Sequence, residues 1–319
     1  MRASLLASLL VLPLACAAAP VTATDDAGHE LHLDGPARRI VSLAPHITEL
    51  LFAAGAGAQV VGVSEYSDYP PAALTLPRVG SGAGLDLEAI VALRPELVVA
   101  WSSGNSHPQL EKLEQLGIPV FYSEPRRIDD IATSLERLGR LAGSEVQARR
   151  AAEAFRAGVA RLGRAYAGRQ PVRVFYQIWQ RPLMTVNGRH MISAWLRLCG
   201  ARNVFSDLPD LAPVIDLEAV LQANPEAIVA GRYPGKGEDW KKMWLAWPQL
   251  EAVARHHLFT VPAERMERQT PRSLEAAAEL CEKIDSTREG IDEAIKSGPF
   301  QGEKRSSEGR DTPHPYGTE

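Results

Sequence analysis

Aromatic residues are scarce in this chain, at 6% of 319 residues, so its six tryptophans are individually informative. Cysteine is scarcer still, with three, which excludes a disulfide-dense scaffold and cysteine-rich zinc modules. Neither sign of charge prevails: 35 Lys+Arg stand against 39 Asp+Glu, a net charge of −4. No basic field is available to hold a phosphate backbone, so nucleic-acid binding is not expected. No run of about 18 apolar residues follows the N-terminal segment, so the mature chain is not expected to span a membrane. Catalytic signatures are missing too: GxSxG, HExxH and Walker loops do not occur. Gly55-Ala56-Gly57 follows an expected helix rather than a strand, and Gly80-Ser81-Gly82-Ala83-Gly84 does not complete GxGxxG. They read as a helix stop and a flexible loop. His29 and His32, and His256 and His257, diverge across expected strands. His46, just before a helix, reads as capping or packing. No metal, resident cofactor or nucleophile–base pair is expected, which argues against an enzyme.

The rest is globular. Hydrophobic residues make up 45% and charged residues 23%, and this length suits two domains of about 150 residues. Residues 1–19 read as a signal peptide. Arg2 is the positive start, 5–15 the apolar stretch, and Ala17-Ala18-Ala19 a small-residue cleavage site. The mature protein then begins at Pro20, in the periplasm. Lipidation at Cys16 is the less favoured route, because Pro13 sits where such signals usually carry Leu. Export leaves Cys199 and Cys281 as an even pair, either bridged or two buried thiols; the oxidising compartment favours the bridge.

Asp25-Asp26-Ala27-Gly28 marks a hairpin turn. Beyond it, apolar strands at 40–43, 60–63, 97–100 and 120–122 alternate with helices at 45–54, 88–93 and 110–116, which implies parallel βαβ units. Residues 144–167 differ: Ser144-x-x-Gln147 reads as a capping box, followed by an Ala/Arg/Glu-rich run ended by Gly168. A helix of roughly 36 Å is expected there. The alternation resumes at 172–177. Residues 85–100 recur at 215–230, with eight of sixteen positions identical. The chain therefore divides into an N-terminal α/β lobe (20–143), a bridging helix (144–168), a related C-terminal α/β lobe (169–296) and a Gly/Ser/Pro-rich, charged tail (297–319) expected to be disordered. The fold class is α/β, two Rossmann-like lobes bridged by one long α-helix. A continuous helix bridge limits lobe motion, so ligand release would need the lobes to be pried apart.

Ligands of open α/β sheets sit beyond the carboxyl ends of strands. Ser64 and Tyr66 follow the strand at 60–63, Trp101 follows 97–100, and Tyr176, Gln177 and Trp179 end the first strand of the second lobe. Glu264, Arg265, Met266, Glu267 and Arg268 follow the strand at 258–261. For any single aromatic, core packing competes with a ligand role. Occurrence at equivalent strand ends of both lobes favours a cleft between them.

Residues 39 to about 284 resemble the periplasmic cobalamin-binding proteins of ABC importers, of the class III solute-binding kind. The resemblance rests on Val41-Ser42-Leu43-Ala44-Pro45-His46-Ile47-Thr48-Glu49-Leu50, on Gly62-Val63-Ser64-Glu65-Tyr66-Ser67-Asp68-Tyr69-Pro70-Pro71 and on Leu87-Glu88-Ala89-Ile90-Val91-Ala92-Leu93-Arg94-Pro95. Ala100-Trp101, Gly104-Asn105, Leu198-Cys199-Gly200 and Glu267-Arg268 also match. It implies cobalamin or a related corrinoid as transported ligand, contacted by Tyr66 and the 264–268 segment. It implies Glu88 and Glu218, one per lobe, docking on an inner-membrane permease dimer, and a disulfide between Cys199 and Cys281. A monomer is expected. Two departures stand out. Glu264-Arg265-Met266 replaces the family's Asp-Trp-Phe, and a cleft Trp is missing near Ala212-Pro213, for which Trp179 compensates from another wall. The competing readings are a haem or ferric siderophore carrier, a periplasmic enzyme on the same fold and a sensory adaptor. Trp101, Tyr66 and Trp179 suit a broad, largely uncharged ligand.

Overall fold

The structure, a computed structural model, describes residues 19–82, 84–233, 235 and 239–296. The expected signal segment, apart from Ala19, and the 297–319 tail lie outside the described residues. The chain opens with a hairpin, β1 (Val21–Thr24) and β2 (Glu30–Leu33). Its turn is held by Asp25 Oδ1, which accepts from the backbone N–H groups of Ala27 and His29.

The first lobe follows: β3 (Ile40–Ser42), α1 (Pro45–Ala53), β4 (Val60–Val63), the short pair β5 (Gly80–Ser81) and β6 (Gly84–Leu85), α2 (Leu87–Ala92), β7 (Leu97–Trp101), α3 (His107–Gln115) and β8 (Val120–Ser123). Its sheet is fully parallel in the order β4-β3-β7-β8. In the glycine-rich stretch expected as a flexible loop, Gly80–Ser81 instead pairs antiparallel with Gly84–Leu85. Gly80 takes φ +95°, and a Cβ there would lie 2.4 Å from the Gly84 carbonyl oxygen.

Two packed helices follow, α4 (Ile128–Ala142) and α5 (Glu145–Tyr166), and α5 leads into the second lobe. The long helix thus starts and stops within a residue or two of its expected ends. The capping box does not form. The Ser144 hydroxyl donates to the Ala54 carbonyl (2.7 Å), tying the start of α5 to the end of α1. The turn from α4 into α5 needs Gly143 at φ +71°, and at Gly139 a Cβ would collide with Ala148 at 2.1 Å. The second lobe repeats the plan with β9 (Val172–Gln177), α6 (Met191–Leu198), β10 (Ala201–Asn203), α7 (Leu217–Ala223), β11 (Ala227–Arg232), α8 (Asp239–Leu245), α9 (Glu251–Ala254), β12 (Leu258–Pro262), α10 (Ala263–Met266) and α11 (Ser273–Lys296). Its parallel order is β10-β9-β11-β12.

Strand periodicity decides where the cores lie. Side chains alternate faces along a strand. Ile40, Leu97 and Val99 of the first sheet, with Val174, Tyr176 and Val229 of the second, join one core that runs through α4 and α5. Their alternates Val41, Val98 and Ala100 fill a separate outer core of the first lobe, and Phe175, Ile228 and Ala230 one of the second. Ala148, Ala152 and Phe155 of α5 are buried in the shared core, where Phe155 meets Trp195 of α6 edge-on at 6.4 Å. Bending the lobes apart would expose this apolar surface, at about 25 cal/mol per Å². Cys199, at the end of α6, is bonded to Cys281 on α11. No described helix is long and apolar enough to cross a membrane.

Candidate functional site

On the first lobe, Tyr66 follows β4 in a left-handed turn (φ +62°) and is 79% exposed. A side chain held there costs conformational energy, which the surroundings must over-determine. They do so through a chain of buried hydroxyls beneath the turn: Ser42 to Thr48 (2.8 Å), Thr48 to Ser67 (3.0 Å) and Ser64 to Ser67 (3.2 Å). Arg78 caps the Ser64 and Ser67 carbonyls. Trp101 ends β7. Its backbone N–H donates to Asn105, whose amide donates to the Leu43 carbonyl. Gly104 lets the chain pass, since a Cβ there would lie 1.9 Å from the indole. His46 meets Trp101 edge-on at 5.3 Å. Burial, helped by the charge of Arg268, lowers the imidazole to about 3, so His46 packs as a neutral ring.

On the second lobe, the carboxyl ends of β9 and β11 open into a cavity of about 970 Å3. Trp179, Tyr233, Trp240 and Met243 are among its walls, with Gln177 and Gly231 at the strand ends. Gln177 is itself oriented by the Trp244 indole, which donates to it at 2.8 Å. A smaller cavity of about 340 Å3 shares Ile178, Trp179 and Tyr233 and adds Met184, His190, Ile192 and Glu267. Tyr233 donates to the Glu267 carboxylate at 2.8 Å. Burial pushes Glu267 up to about 7, the negative Glu264 adds to this, and the Tyr233 hydrogen bond opposes it.

Between the lobes lies a cluster that sequence reasoning missed. Glu49 of α1 is buried, and its carboxylate accepts from Arg268 (2.9 Å), Arg272 (3.1 Å) and Thr270 (3.0 Å), all from the second lobe. Arg268 also donates to Asp68 (2.6 Å) and to the Tyr66 carbonyl (3.2 Å). Arg272 lies 3.8 Å over the Tyr69 ring. Glu49 carried no chemical signal in sequence, since its helical position reads equally well as solvent-facing. Its partners arrive from more than 200 residues away.

Of the expected contact residues, Gln177, Trp179 and Glu267 line cavities. Tyr66 and Trp101 line neither; they stand on the first-lobe side of the junction. Three are corrected. Tyr176 is fully buried, because position parity along β9 turns it into the shared core. Met266 is buried there as well, on α10. Ser64 is buried under the Tyr66 turn and positions it rather than forming a wall. Arg265 pairs with Glu275 (3.0 Å) and lies 3.9 Å from Glu264; neither Arg265 nor Glu264 lines either of these two cavities. Arg268 is engaged between the lobes. Tyr233, Trp240, His190 and Glu49 were not anticipated. Tyr233 was the findable one, three residues past the strand that the internal repeat predicts.

Glu88 and Glu218 occupy matching exposed sites in the first turns of α2 and α7. The two helices are capped alike: Asp86 accepts from Ala89 N–H (2.9 Å), Asp216 from Ala219 N–H (2.8 Å).

Two parallel four-stranded lobes, a helical bridge and a strand-end cleft define a two-lobed solute-binding architecture. The sequence profile of the periplasmic binding protein family matches residues 40–265, and the chain belongs to that family. Within it, the chain is 37% identical over 257 residues to the vitamin B12-binding protein of Vibrio campbellii, covering 80% of this chain and 92% of the relative. It is 39% identical over 248 residues to that of Vibrio cholerae, covering 77% and 88%. The crystal structure of the periplasmic vitamin B12 binding protein BtuF of Vibrio cholerae superposes with a TM-score of 0.73 at 37% identity, over 79% of this chain and 98% of that one. The periplasmic heme-binding protein BhuT reaches 0.71 at 20% identity, a likeness of fold alone.

Proposed function

We propose that this chain is the substrate-binding component of an ABC importer, which binds cobalamin or a related corrinoid in the interlobe cleft and delivers it to the inner-membrane permease. It acts in the periplasm as a carrier without turnover, as a monomer exported by the 1–19 segment. The observation that carries the reading is identity of 37–39% over about four-fifths of the chain to proteins named for vitamin B12 binding. The site supports it: the second-lobe cavity is walled by Trp179, Tyr233 and Trp240, and on the first lobe Tyr66 is exposed with its carbonyl tied to Arg268 of the second. Broad flat rings suit a large amphipathic macrocycle, and Arg181, Arg232, Asp239 and Lys242 add polar groups at the cavity wall. Glu88 and Glu218 then dock on paired permease subunits, because matched exposed sites on two related lobes can meet two equivalent partners.

Calorimetric titration of the chain from Pro20 onward with cyanocobalamin tests this, with haem and a ferric siderophore as controls. Submicromolar one-to-one binding of cyanocobalamin is expected. Trp101→Ala should weaken it about 10- to 100-fold, the range for losing one aromatic anchor. Glu88→Ala with Glu218→Ala should leave affinity unchanged and abolish permease docking in a pull-down. Equal affinity loss in both variants, or preference for haem, would overturn the assignment.

A further inference from the structure

The smaller cavity holds a set of polar groups that the aromatic cleft does not explain. His190 caps α6: its Nδ1 accepts from the Ile192 backbone N–H at 3.1 Å. Burial lowers this imidazole to about 4, so it is neutral. With Nδ1 engaged as an acceptor, the ring proton sits on Nε2, which leaves His190 a donor toward the cavity it lines. Glu267 lines the same cavity. The Tyr233 hydroxyl occupies part of its carboxylate, which has acceptor sites to spare. Ile178, Met184, Ile192 and the Trp179 ring supply apolar walls. The cavity therefore presents one neutral donor, one acid and an apolar sleeve. Behind it, the Tyr176 hydroxyl is buried without a hydrogen-bond partner among the described residues, and burial, with the Glu267 carboxylate nearby, holds it protonated. No guanidinium or ammonium lines this cavity among the described residues.

An uncharged primary carboxamide is the group that matches. Its carbonyl needs one donor and its nitrogen one acceptor, while two methylenes would lie along the apolar walls. A carboxylate in the same place would face Glu267 with no cation to offset it. We propose that this cavity reads a propionamide arm of the ligand, with His190 Nε2–H meeting the carbonyl and Glu267 the amide nitrogen. The inference rests on the corrinoid reading above and deepens it. It makes the second lobe the source of selectivity against macrocycles that carry carboxylate arms.

The test is calorimetry at pH 8 with cyanocobalamin and its three monocarboxylic acids, each with one propionamide hydrolysed. One of the acids should bind at least tenfold more weakly than the parent, because a site built around paired polar groups rejects a mismatched one. In Glu267→Gln that penalty should fall to threefold or less. His190→Asn retains a side-chain acceptor for the α6 terminus but withdraws the ring donor. It should weaken cyanocobalamin about 5- to 30-fold with little change in melting temperature, whereas a purely structural role would lower melting and spare affinity. All three acids binding within threefold of the parent, or an unchanged penalty in Glu267→Gln, would overturn the inference while leaving the corrinoid assignment standing. Failure of cyanocobalamin itself to bind would overturn both.

Discussion

The internal repeat allows the two lobes to be compared position by position, and they make opposite choices at the cleft. Trp101 ends β7, and Gly231 stands at the corresponding place in β11, 130 residues on. The first lobe fills its strand end with an indole backed by His46. The second carries no side chain there and has no room for one: a Cβ at Gly231 would lie 2.8 Å from Glu267 Oε1 and 3.0 Å from the Ala263 Cβ. The cavities open on that lobe. Two glutamates diverge as well, Glu49 buried and Glu267 half-buried. Glu49 of the first lobe is saturated by two guanidiniums and a hydroxyl, whereas Glu267 of the second has one tyrosine hydroxyl. Two copies of one α/β plan thus divide the labour, one giving a rigid wall and an anchor for its partner, the other the recess and its polar groups.

The largest expected effect comes from breaking the anchor. Glu49→Ala leaves Arg268 and Arg272 poorly compensated, and such losses cost about 3–5 kcal/mol. Urea denaturation should show it, and small-angle scattering should show a larger radius of gyration as the lobes separate. An unchanged denaturation midpoint would mean that the shared core alone holds them. Next is the brace the second lobe carries within itself. Replacing Cys199 and Cys281 with Ala should cost about 3–4 kcal/mol by releasing an 82-residue loop in the unfolded chain.

A smaller effect should separate the two glutamates by pH. Glu267 is raised to about 7 from an ordinary 4.5. Between those values the unfolded chain has already lost a proton that the folded chain keeps, so stability falls as pH rises through this window. Glu267→Gln should therefore be more stable than the parent at pH 7.5 by about 3 kcal/mol and equal to it near pH 4, read from denaturant midpoints at both values. A parent curve already flat between pH 4.5 and 7 would refute this. Smallest is a repair at the helix ends. Arg94 and Asn224 occupy matching left-handed positions, φ +47° and +39°, before Pro95 and Pro225. Asn tolerates that region better than Arg. Arg94→Asn should thus stabilise the first lobe by about 0.5–1 kcal/mol in thermal melts.

Much of this architecture was legible in the chain. Short apolar strands separated by helices at βαβ spacing led to two parallel sheets. The recurring Asp-Leu-Glu-Ala and Pro-Glu segments revealed two related lobes. An uninterrupted Ala/Arg/Glu run located α5. The companion α4 was not anticipated, although it packs along α5. In the cleft, Trp179 and Glu267 were legible because they follow strands. Tyr176 was misplaced: it also ends a strand, but facing is set by position parity against the shared core, and that core is assembled from both lobes.

Local interactions therefore determined the elements, their order and the repeat, because helix propensity, strand alternation and turn residues act over a few positions. Which strand ends became wall and which became recess was decided only by tertiary structure. So was the choice of Glu49 as the buried joint of the lobes. The partners of Glu49 lie more than 200 residues away in the chain, and those of the strand ends tens of residues away, brought together by burial of a common core.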